Sequence, residues 1–342
     1  MSLPATTGPA SSGPNNPDMT AADMTGADMT GADMTAADMT AADVTARAAA
    51  VAGAVATCFL GREDAVRMAL GCLLADGHLL IEDAPGSGKT ALSAALASAL
   101  GLDFQRVQCT NDLLPADITG LSIFERESGR FVMREGPVFT QMLLADELNR
   151  APSKTQSALL QAMEERVVTV DRETRALPRP FLVIATQNPA EQIGTFDLPE
   201  SQLDRFSLSM DIGRPDHATQ AAILTGRQDR EQAQVPRVSS SEELLAMQGA
   251  VAALPAVPEV IDYALRLADT MEDQAAASLS VRFRAQFLRL AQAHAVLAGR
   301  DYVAPDDLQA MFLPALRHRL IRVEAGARAD LVAAALKATK LP

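Results

Sequence analysis

Residues 78–90 read His-Leu-Leu-Ile-Glu-Asp-Ala-Pro-Gly-Ser-Gly-Lys-Thr, and an Ala/Leu-rich run from Ala91 to Leu100 follows. In that order they describe a strand, a Gly-rich turn, a Lys-Thr pair and a helix. A strand that feeds such a loop into a helix N-terminus cradles phosphate. Backbone N–H groups converge, the helix dipole favours negative charge, and Lys89 reaches the β- and γ-phosphates of a nucleotide. The Thr90 hydroxyl is placed to ligate Mg²⁺. Asp83, Ala84, Pro85, Gly86, Ser87, Gly88, Lys89 and Thr90 are the expected nucleotide-binding residues, with Asp83 standing where the usual pattern has its first Gly. Taken alone, a Gly-rich turn of this kind also occurs without a ligand.

Downstream, Met142-Leu143-Leu144-Ala145-Asp146-Glu147 is a second apolar run, ending in two carboxylates. Buried parallel strands have this composition, and ligands sit beyond their C-terminal ends. Asp146 is expected to hold Mg²⁺ through water, and Glu147 to orient and deprotonate the attacking water. The two jobs are separate because phosphoryl transfer is catalysed mainly by positioning and charge stabilisation. A solvated acidic pair opening a helix is the plainer alternative, weakened by the apolar strand before it and the phosphate loop upstream. A third run, Phe181 to Ala185, ends in Thr186-Gln187-Asn188-Pro189. There the Asn188 amide either touches the γ-phosphate or attacking water, or simply forms the turn before Pro189. Leu203-Asp204-Arg205-Phe206 puts a cation at a helix end. It reads as a C-terminal cap or as an arginine finger aimed at a neighbouring subunit's nucleotide.

With these residues in view, the chain resembles the AAA+ ATPases and, within them, the MoxR family. The resemblance is carried by residues 144–160, Leu-Ala-Asp-Glu-Leu-Asn-Arg-Ala-Pro-Ser-Lys-Thr-Gln-Ser-Ala-Leu-Leu, by Ala185 to Pro189, and by Leu198-Pro199-Glu200-Ser201-Gln202-Leu203-Asp204-Arg205-Phe206. It runs from about Phe59 to about His318, and the family tolerates Asp at position 83. It implies an α/β fold, a P-loop αβα nucleotide domain followed by a small all-α lid. ATP and Mg²⁺ are the implied cofactors. The implied activity is ATP hydrolysis coupled to chaperone-like remodelling or maturation of a protein complex or metalloenzyme. The implied partners are further copies of the chain in a closed ring, a hexamer by the resemblance, and a von Willebrand factor A-domain protein. Asn188 resembles the sensor-1 residue, Arg205 the arginine finger and Arg282 the sensor-2 arginine of the lid, with Arg284 as the alternative to Arg282.

The composition fits such a machine. The chain has 342 residues, 48% hydrophobic and 21% charged, a length that suits two packed domains. Aromatic residues make up only 4% and Trp is absent, so the core must be aliphatic. A net charge of −13 gives no basic footprint for nucleic acid. Cys58, Cys72 and Cys109 have no C-x-x-C spacing and read as small buried residues in a reducing compartment. His78, His217, His294 and His318 show no metal-ligand spacing. No secretory signal pattern opens the chain, and Ala48 to Leu60 is too short to span a membrane. The expectation is a cytoplasmic protein with no membrane span.

Four segments are expected. Residues 1–45 carry a five-residue repeat, Asp-Met-Thr at 18–20, 23–25, 28–30, 33–35 and 38–40, then Asp-Val-Thr at 43–45. A period of five matches neither helix nor strand, so the segment reads as a disordered acidic tail. A Met-rich metal or partner arm is the alternative. Residues 46–214 form the ATPase core, 215–238 a connection, and 239–342 a helical lid. Two hairpins are expected inside the core, around Glu127-Ser128-Gly129-Arg130 and around Asp171-Arg172-Glu173. In the family these correspond to pore-facing insertions. Two other functions compete: a nucleotide-gated scaffold with little turnover, disfavoured by the intact Glu147, and a DNA-acting AAA+ motor, disfavoured by the lack of an added basic domain.

Overall fold

The structure is a computed structural model that describes residues 39–171, 173–188, 194–215, 217–225, 235–275 and 278–342. Most of the expected acidic tail, residues 1–38, lies outside the described residues. The core begins with α1 (Ala41–Ala56) and α2 (Glu63–Leu74), then β1 (Leu79–Glu82), α3 (Lys89–Leu100), β2 (Phe104–Gln108) and α4 (Pro115–Thr119). The hairpin β3 (Gly120–Glu125) and β4 (Arg130–Glu135) precedes β5 (Met142–Asp146) and α5 (Ser153–Glu165). The hairpin β6 (Val167–Val170) and β7 (Glu173–Ala176) precedes β8 (Leu182–Gln187), α6 (Glu200–Leu203), β9 (Leu208–Met210) and α7 (His217–Leu224). The remaining helices are α8 (Ser241–Ala253), α9 (Pro258–Ala275), α10 (Val281–Leu297), α11 (Pro305–Leu316) and α12 (Arg328–Ala338).

Five strands make one parallel sheet in the order β2-β5-β8-β1-β9. Its inner strands are covered on both faces, which is why they are continuous apolar runs rather than alternating ones. Alternate residues point to opposite faces. Leu79, Ile81, Met142, Leu144, Leu182 and Ile184 enter one apolar cluster, while Leu80, Leu143, Ala145, Val183 and Ala185 enter the other. The first cluster continues without a break through α1, α2 and α3 into the lid helices α8 to α12. Core and lid thus share apolar packing on that face, and Gln248 of α8 donates to the Leu73 carbonyl of α2 across the junction. Because all five strands are parallel, their C-terminal ends line one edge and their N-terminal ends the other. Both ends matter below.

Two expected boundaries move. The tail does not extend to residue 45. Helix α1 starts at Ala41, behind a capping box in which the Thr40 hydroxyl accepts from the Asp43 amide and the Asp43 carboxylate accepts from the Thr40 amide. The last repeats therefore double as a helix start, because Thr-x-x-Asp is itself a capping signal. Met39 and Val44 are buried, and the Thr45 hydroxyl donates to the Val296 carbonyl of α10 at 2.6 Å. The connection expected at 215–238 is likewise not featureless. It contains α7, and Val235 is buried, while residues 226–234 lie outside the described residues.

Candidate functional site

At the C-terminal edge of the sheet, β1 hands the chain to the loop 83–88. Gly88 sits at φ +93°, a left-handed conformation that L side chains rarely adopt. A Cβ there would also lie 3.0 Å from the Phe59 ring and 3.1 Å from the Arg62 guanidinium. The loop is therefore pressed against the segment preceding α2, and Arg62 donates to the Ser87 carbonyl. The Lys89 ammonium donates to the carbonyls of Asp83 (2.6 Å) and Ala84 (2.9 Å), which curls the side chain back over its own loop. The Ser87 hydroxyl oxygen is buried with no hydrogen-bond partner. A half-buried Thr90 follows directly. An orphaned hydroxyl, a lysine resting on carbonyls and a helix N-terminus fit a phosphate chain.

Asp83 explains its own departure from the usual glycine. One carboxylate oxygen accepts from the Ala84 amide at 2.7 Å. The other accepts from the amides of Ile212 and Gly213 at 3.1 and 3.2 Å. The side chain pins the first turn of the loop to the chain leaving β9. Beside that contact lies a cavity of about 270 Å³ between core and lid, lined by Met68, Ile212, Leu313, Pro314 and Arg317 among others.

β5 delivers Asp146 and Glu147 to the same edge. Asp146 is buried, and its carboxylate is held on both sides: Thr186 donates to Oδ1 at 2.6 Å and Arg106 to Oδ2 at 2.7 Å. Glu147 adopts φ +56°, a conformation that costs a non-glycine residue about 1 kcal/mol or more. The Thr186 hydroxyl, accepting the Glu147 amide at 2.8 Å, helps to fix it. The Glu147 carboxylate then receives Gln108 at 3.0 Å and Arg150 at 3.1 Å. Asn188 stands half-buried just beyond β8 on this edge. A buried carboxylate next to a threonine hydroxyl and a phosphate cradle is a donor set suited to Mg²⁺, which takes one or two carboxylates and completes its shell with substrate oxygens and water.

Arg106, Gln108 and Thr186 went unassigned in the sequence. Arg106 and Gln108 share one face of β2 by alternation, and that signal was visible. What was not visible is that β2 pairs with β5 in a register that sets Gln108 opposite Asp146.

Arg205 and Arg282 are not at this edge. The Ser207 amide donates to the His78 carbonyl at 2.9 Å, immediately before β1 begins. Arg205 therefore lies at the N-terminal end of β1, while the phosphate loop leaves its C-terminal end. The run of β1 between them spans roughly 10 Å or more at about 3.3 Å per residue. Arg205 pairs with Glu164 at 2.8 Å, and Arg282 reaches the other oxygen of the same carboxylate. Hydrogen bonding from Arg282, with the Arg205 charge beside it, holds Glu164 below the ordinary carboxylate value. The Arg205 Nε is buried without a hydrogen-bond partner. Arg284 is engaged elsewhere, on Asp269 at 2.8 Å and Glu272 at 2.9 Å within the lid. Of the two arginines, Arg282 is the one that faces the core. A cavity of about 190 Å³ opens here, lined by Asp76, Glu164, Arg166, Arg205, Arg282 and neighbouring residues.

Comparison with known proteins finds an ATPase domain followed by a lid domain. Residues 78–208 match the ATPase family associated with various cellular activities (AAA), residues 271–336 match the AAA lid domain, and residues 16–45 match pentapeptide repeats in eight copies. The chain is 41% identical over 265 residues to YeaC of Bacillus subtilis strain 168, covering 77% of this chain and 83% of that protein. It is 36% identical over 273 residues to Chaperone MoxR1 of Mycobacterium tuberculosis, covering 77% of this chain and 72% of that one. A crystal structure from Cytophaga hutchinsonii superimposes with a TM-score of 0.78 at 32% identity, covering 88% of this chain and 97% of its own. With a phosphate loop and paired carboxylates on one edge of a parallel sheet and a helical lid packed against the core, the chain belongs to the MoxR family of AAA+ ATPases and is an ATP-hydrolysing enzyme.

Proposed function

We propose that the protein is a Mg²⁺-dependent ATPase that works as a ring and uses hydrolysis to remodel a protein client in the cytoplasm. The observation that carries this reading is the division of the site between the two edges of one sheet. Residues 83–90 bind the triphosphate, with Lys89 leaving its loop carbonyls for the phosphates. Thr90 would hold Mg²⁺ directly and Asp146 would hold it through water, and the ion would supply charge neutralisation along the phosphates. Glu147 takes the proton of the attacking water, and Asn188 orients that water or the γ-phosphate. Arg205 and Arg282 complete the site of the adjacent subunit, since a guanidinium stabilises transition-state charge only where it can reach a γ-phosphate. A hexamer is the ring size we assign, on the family resemblance.

The client side rests on the hairpin β3–β4. Phe124 and Phe131 pair across it edge-to-face at 5.4 Å between ring centroids, and both are exposed, as are Ile123 and Val132 on the opposite face. Such apolar side chains displayed on a hairpin suit contact with a protein chain. The relative from Mycobacterium tuberculosis is called a chaperone, and this chain is assigned the same kind of work, on a protein complex or metalloenzyme, with a von Willebrand factor A-domain protein as partner.

Lys89→Ala and Glu147→Gln test the chemistry. The first is expected to lose ATP binding, and the second to keep binding while phosphate release stops. Wild-type turnover in Glu147→Gln defeats the assignment of the base. Proteins retained on the Glu147→Gln form with ATP, and released from Lys89→Ala, identify the client.

A further inference from the structure

The arginine edge is tied to the lid by a cluster that neither the phosphate chemistry nor the Glu164 pair requires. Asp204 directly precedes Arg205. One of its carboxylate oxygens accepts from the Ser280 hydroxyl at 2.7 Å, and the other accepts from the Arg319 Nε at 3.1 Å. Ser280 is the N-cap of α10, accepting from the Phe283 amide at 3.0 Å, and Arg282 sits in the first turn of that helix. Arg319 follows the end of α11 and is almost fully buried. It also donates to the carbonyls of Asp204 (3.1 Å) and Phe206 (2.8 Å) and to the Gln286 side chain of α10 (3.0 Å). Its guanidinium lies 4.9 Å from the centroid of the Phe283 ring. Burial pulls Arg319 down to about 10, so it remains charged at neutral pH.

A buried guanidinium that spends its donors on two backbone carbonyls of one segment, on that segment's carboxylate and on a lid glutamine leaves the two parts little freedom to move apart. Removing one partner from such a network is costly, because the rest stays buried and unsatisfied. The clasp also sits at a mechanical junction. The end of α11 and the residue after it line the cavity beside Ile212 through Leu313, Pro314 and Arg317, and the Ile212 amide is bonded to Asp83 of the phosphate loop. Arg319 lies two residues past Arg317 and grips the carbonyls on either side of Arg205. One stretch of chain therefore runs from the cavity beside Ile212 to the carbonyls that flank Arg205.

We infer that Asp204, Ser280 and Arg319 form a clasp that makes the lid and the Arg205 segment one moving piece, so that Arg319 and Asp204 act as positioning residues for hydrolysis in the neighbouring subunit. The inference rests on the proposed role of Arg205 in trans. Lid position, set by what the subunit's own site contains, thereby sets where its finger points.

The test uses mixed rings of full-length protein. Arg205→Ala subunits keep an intact phosphate site and lack a finger, and Glu147→Gln subunits keep the finger and lack the base. Mixing the two is expected to restore part of the ATPase rate. Arg319→Lys, or Asp204→Asn as the milder variant that keeps an acceptor for Ser280, is then placed in one parent at a time. In the Glu147→Gln parent, which donates the finger, it should cut the restored rate by roughly tenfold or more. In the Arg205→Ala parent, which receives it, the restored rate should change less than threefold with KM for ATP unaltered. Melting midpoints of the double variants identify any that fail to fold, and Asp204→Asn carries the test if Arg319→Lys does. Equal losses from both sides, a loss only from the receiving side, or no loss overturns the clasp as a positioning device. If the unmodified mixture restores nothing while mixed rings form, the trans reading of Arg205 falls and the clasp's catalytic role falls with it.

Discussion

The two edges of the sheet are built in different ways. The phosphate edge draws on contiguous stretches: a loop and helix start at 83–90, a strand end at 146–147, another at 186–188. Each group stands next to backbone that regular structure has already fixed. The arginine edge is assembled from pieces far apart in the chain: Asp76 and His78 before β1, Glu164 and Arg166 at the end of α5, Arg205 after α6, Arg282 on α10 and Arg319 after α11. Its two principal cations meet on a single carboxylate. Groups of the first kind are set by local sequence, and those of the second meet only through the tertiary fold; in the ring proposed above, the second completes the first of the adjacent subunit.

The largest expected effect breaks that comparison if it fails. Arg205→Ala is expected to lower ATP turnover by about 10³-fold or more, the range for loss of an arginine finger, while nucleotide affinity stays near that of the parent. Steady-state phosphate release and equilibrium binding of a fluorescent ATP analogue separate the two. A rise in Kd with turnover per bound ATP unchanged places Arg205 in its own subunit's site and removes the distinction between the edges.

Glu147→Gln comes next, with a loss of about 10²–10⁴-fold in hydrolysis, typical for a general base. The amide keeps one acceptor for Gln108 and Arg150, so geometry and binding should survive. Single-turnover phosphate release checks it. A loss below tenfold makes Glu147 a structural partner of Arg150 rather than the base.

These contrasts also set what the sequence made legible. The strands were plain because burial on both faces demands unbroken apolar runs, as in Leu143-Leu144-Ala145 and Leu182-Val183-Ile184. The phosphate loop was plain because an apolar strand, a Gly-rich turn, a Lys-Thr pair and an Ala/Leu-rich helix follow one another directly in the chain, with the carboxylate pair downstream. Arg106 and Gln108 stayed hidden because their meaning comes from pairing with β5, and strand order is not written in either strand. Glu164 sat on α5 as one more acidic residue until α10 brought Arg282 to it. Arg319 stayed hidden for the same reason: a buried arginine in the last turn before a loop has no local signature. The helix at Ala41 was obscured by a repeat whose period masked the capping signal inside it.

Helix α1 touches both α3, which follows the phosphate loop, and α10, which carries Arg282. Its first turn should therefore support both edges. Deleting residues 1–45 removes the buried side chains of Met39 and Val44, about 1.5–3 kcal/mol each, and the Thr40 cap, about 1 kcal/mol. We expect a loss of several kcal/mol in unfolding free energy. Deleting residues 1–38 spares all three, and its melting midpoint should stay close to that of the full chain. Equal midpoints for the two truncations would show that the start of α1 bears no load.

The smallest expected effect is in acid, and it falls on the arginine edge. His78 is buried where β1 begins: its Nδ1 accepts from the Val183 amide at 3.0 Å and its Nε2 faces the Met163 carbonyl at 3.3 Å. Burial, with the Arg166 charge added, pushes it down to about 3. His318 lies against the Phe206 carbonyl at 2.9 Å and is pushed well below its usual value by burial and then by Arg319. Both are neutral when folded. Unfolded, each binds a proton below about pH 6.5. The unfolded state then holds more protons, so stability rises with pH across this window and is lost as pH falls from about 6.5 toward 3. Between pH 7 and 5, His78 alone should cost roughly 2 kcal/mol. Urea midpoints at the two pH values measure the total, and His78→Gln should flatten the slope by that amount even though the variant is weaker at pH 7. Amide exchange at pH 5 sharpens the comparison, since protection should fall first around Phe206 to Leu208 and the start of β8, while α3 behind the phosphate loop keeps its own. Protection lost first in α3 would mean that acid acts through the phosphate edge and that the two histidines are not what anchors the other one.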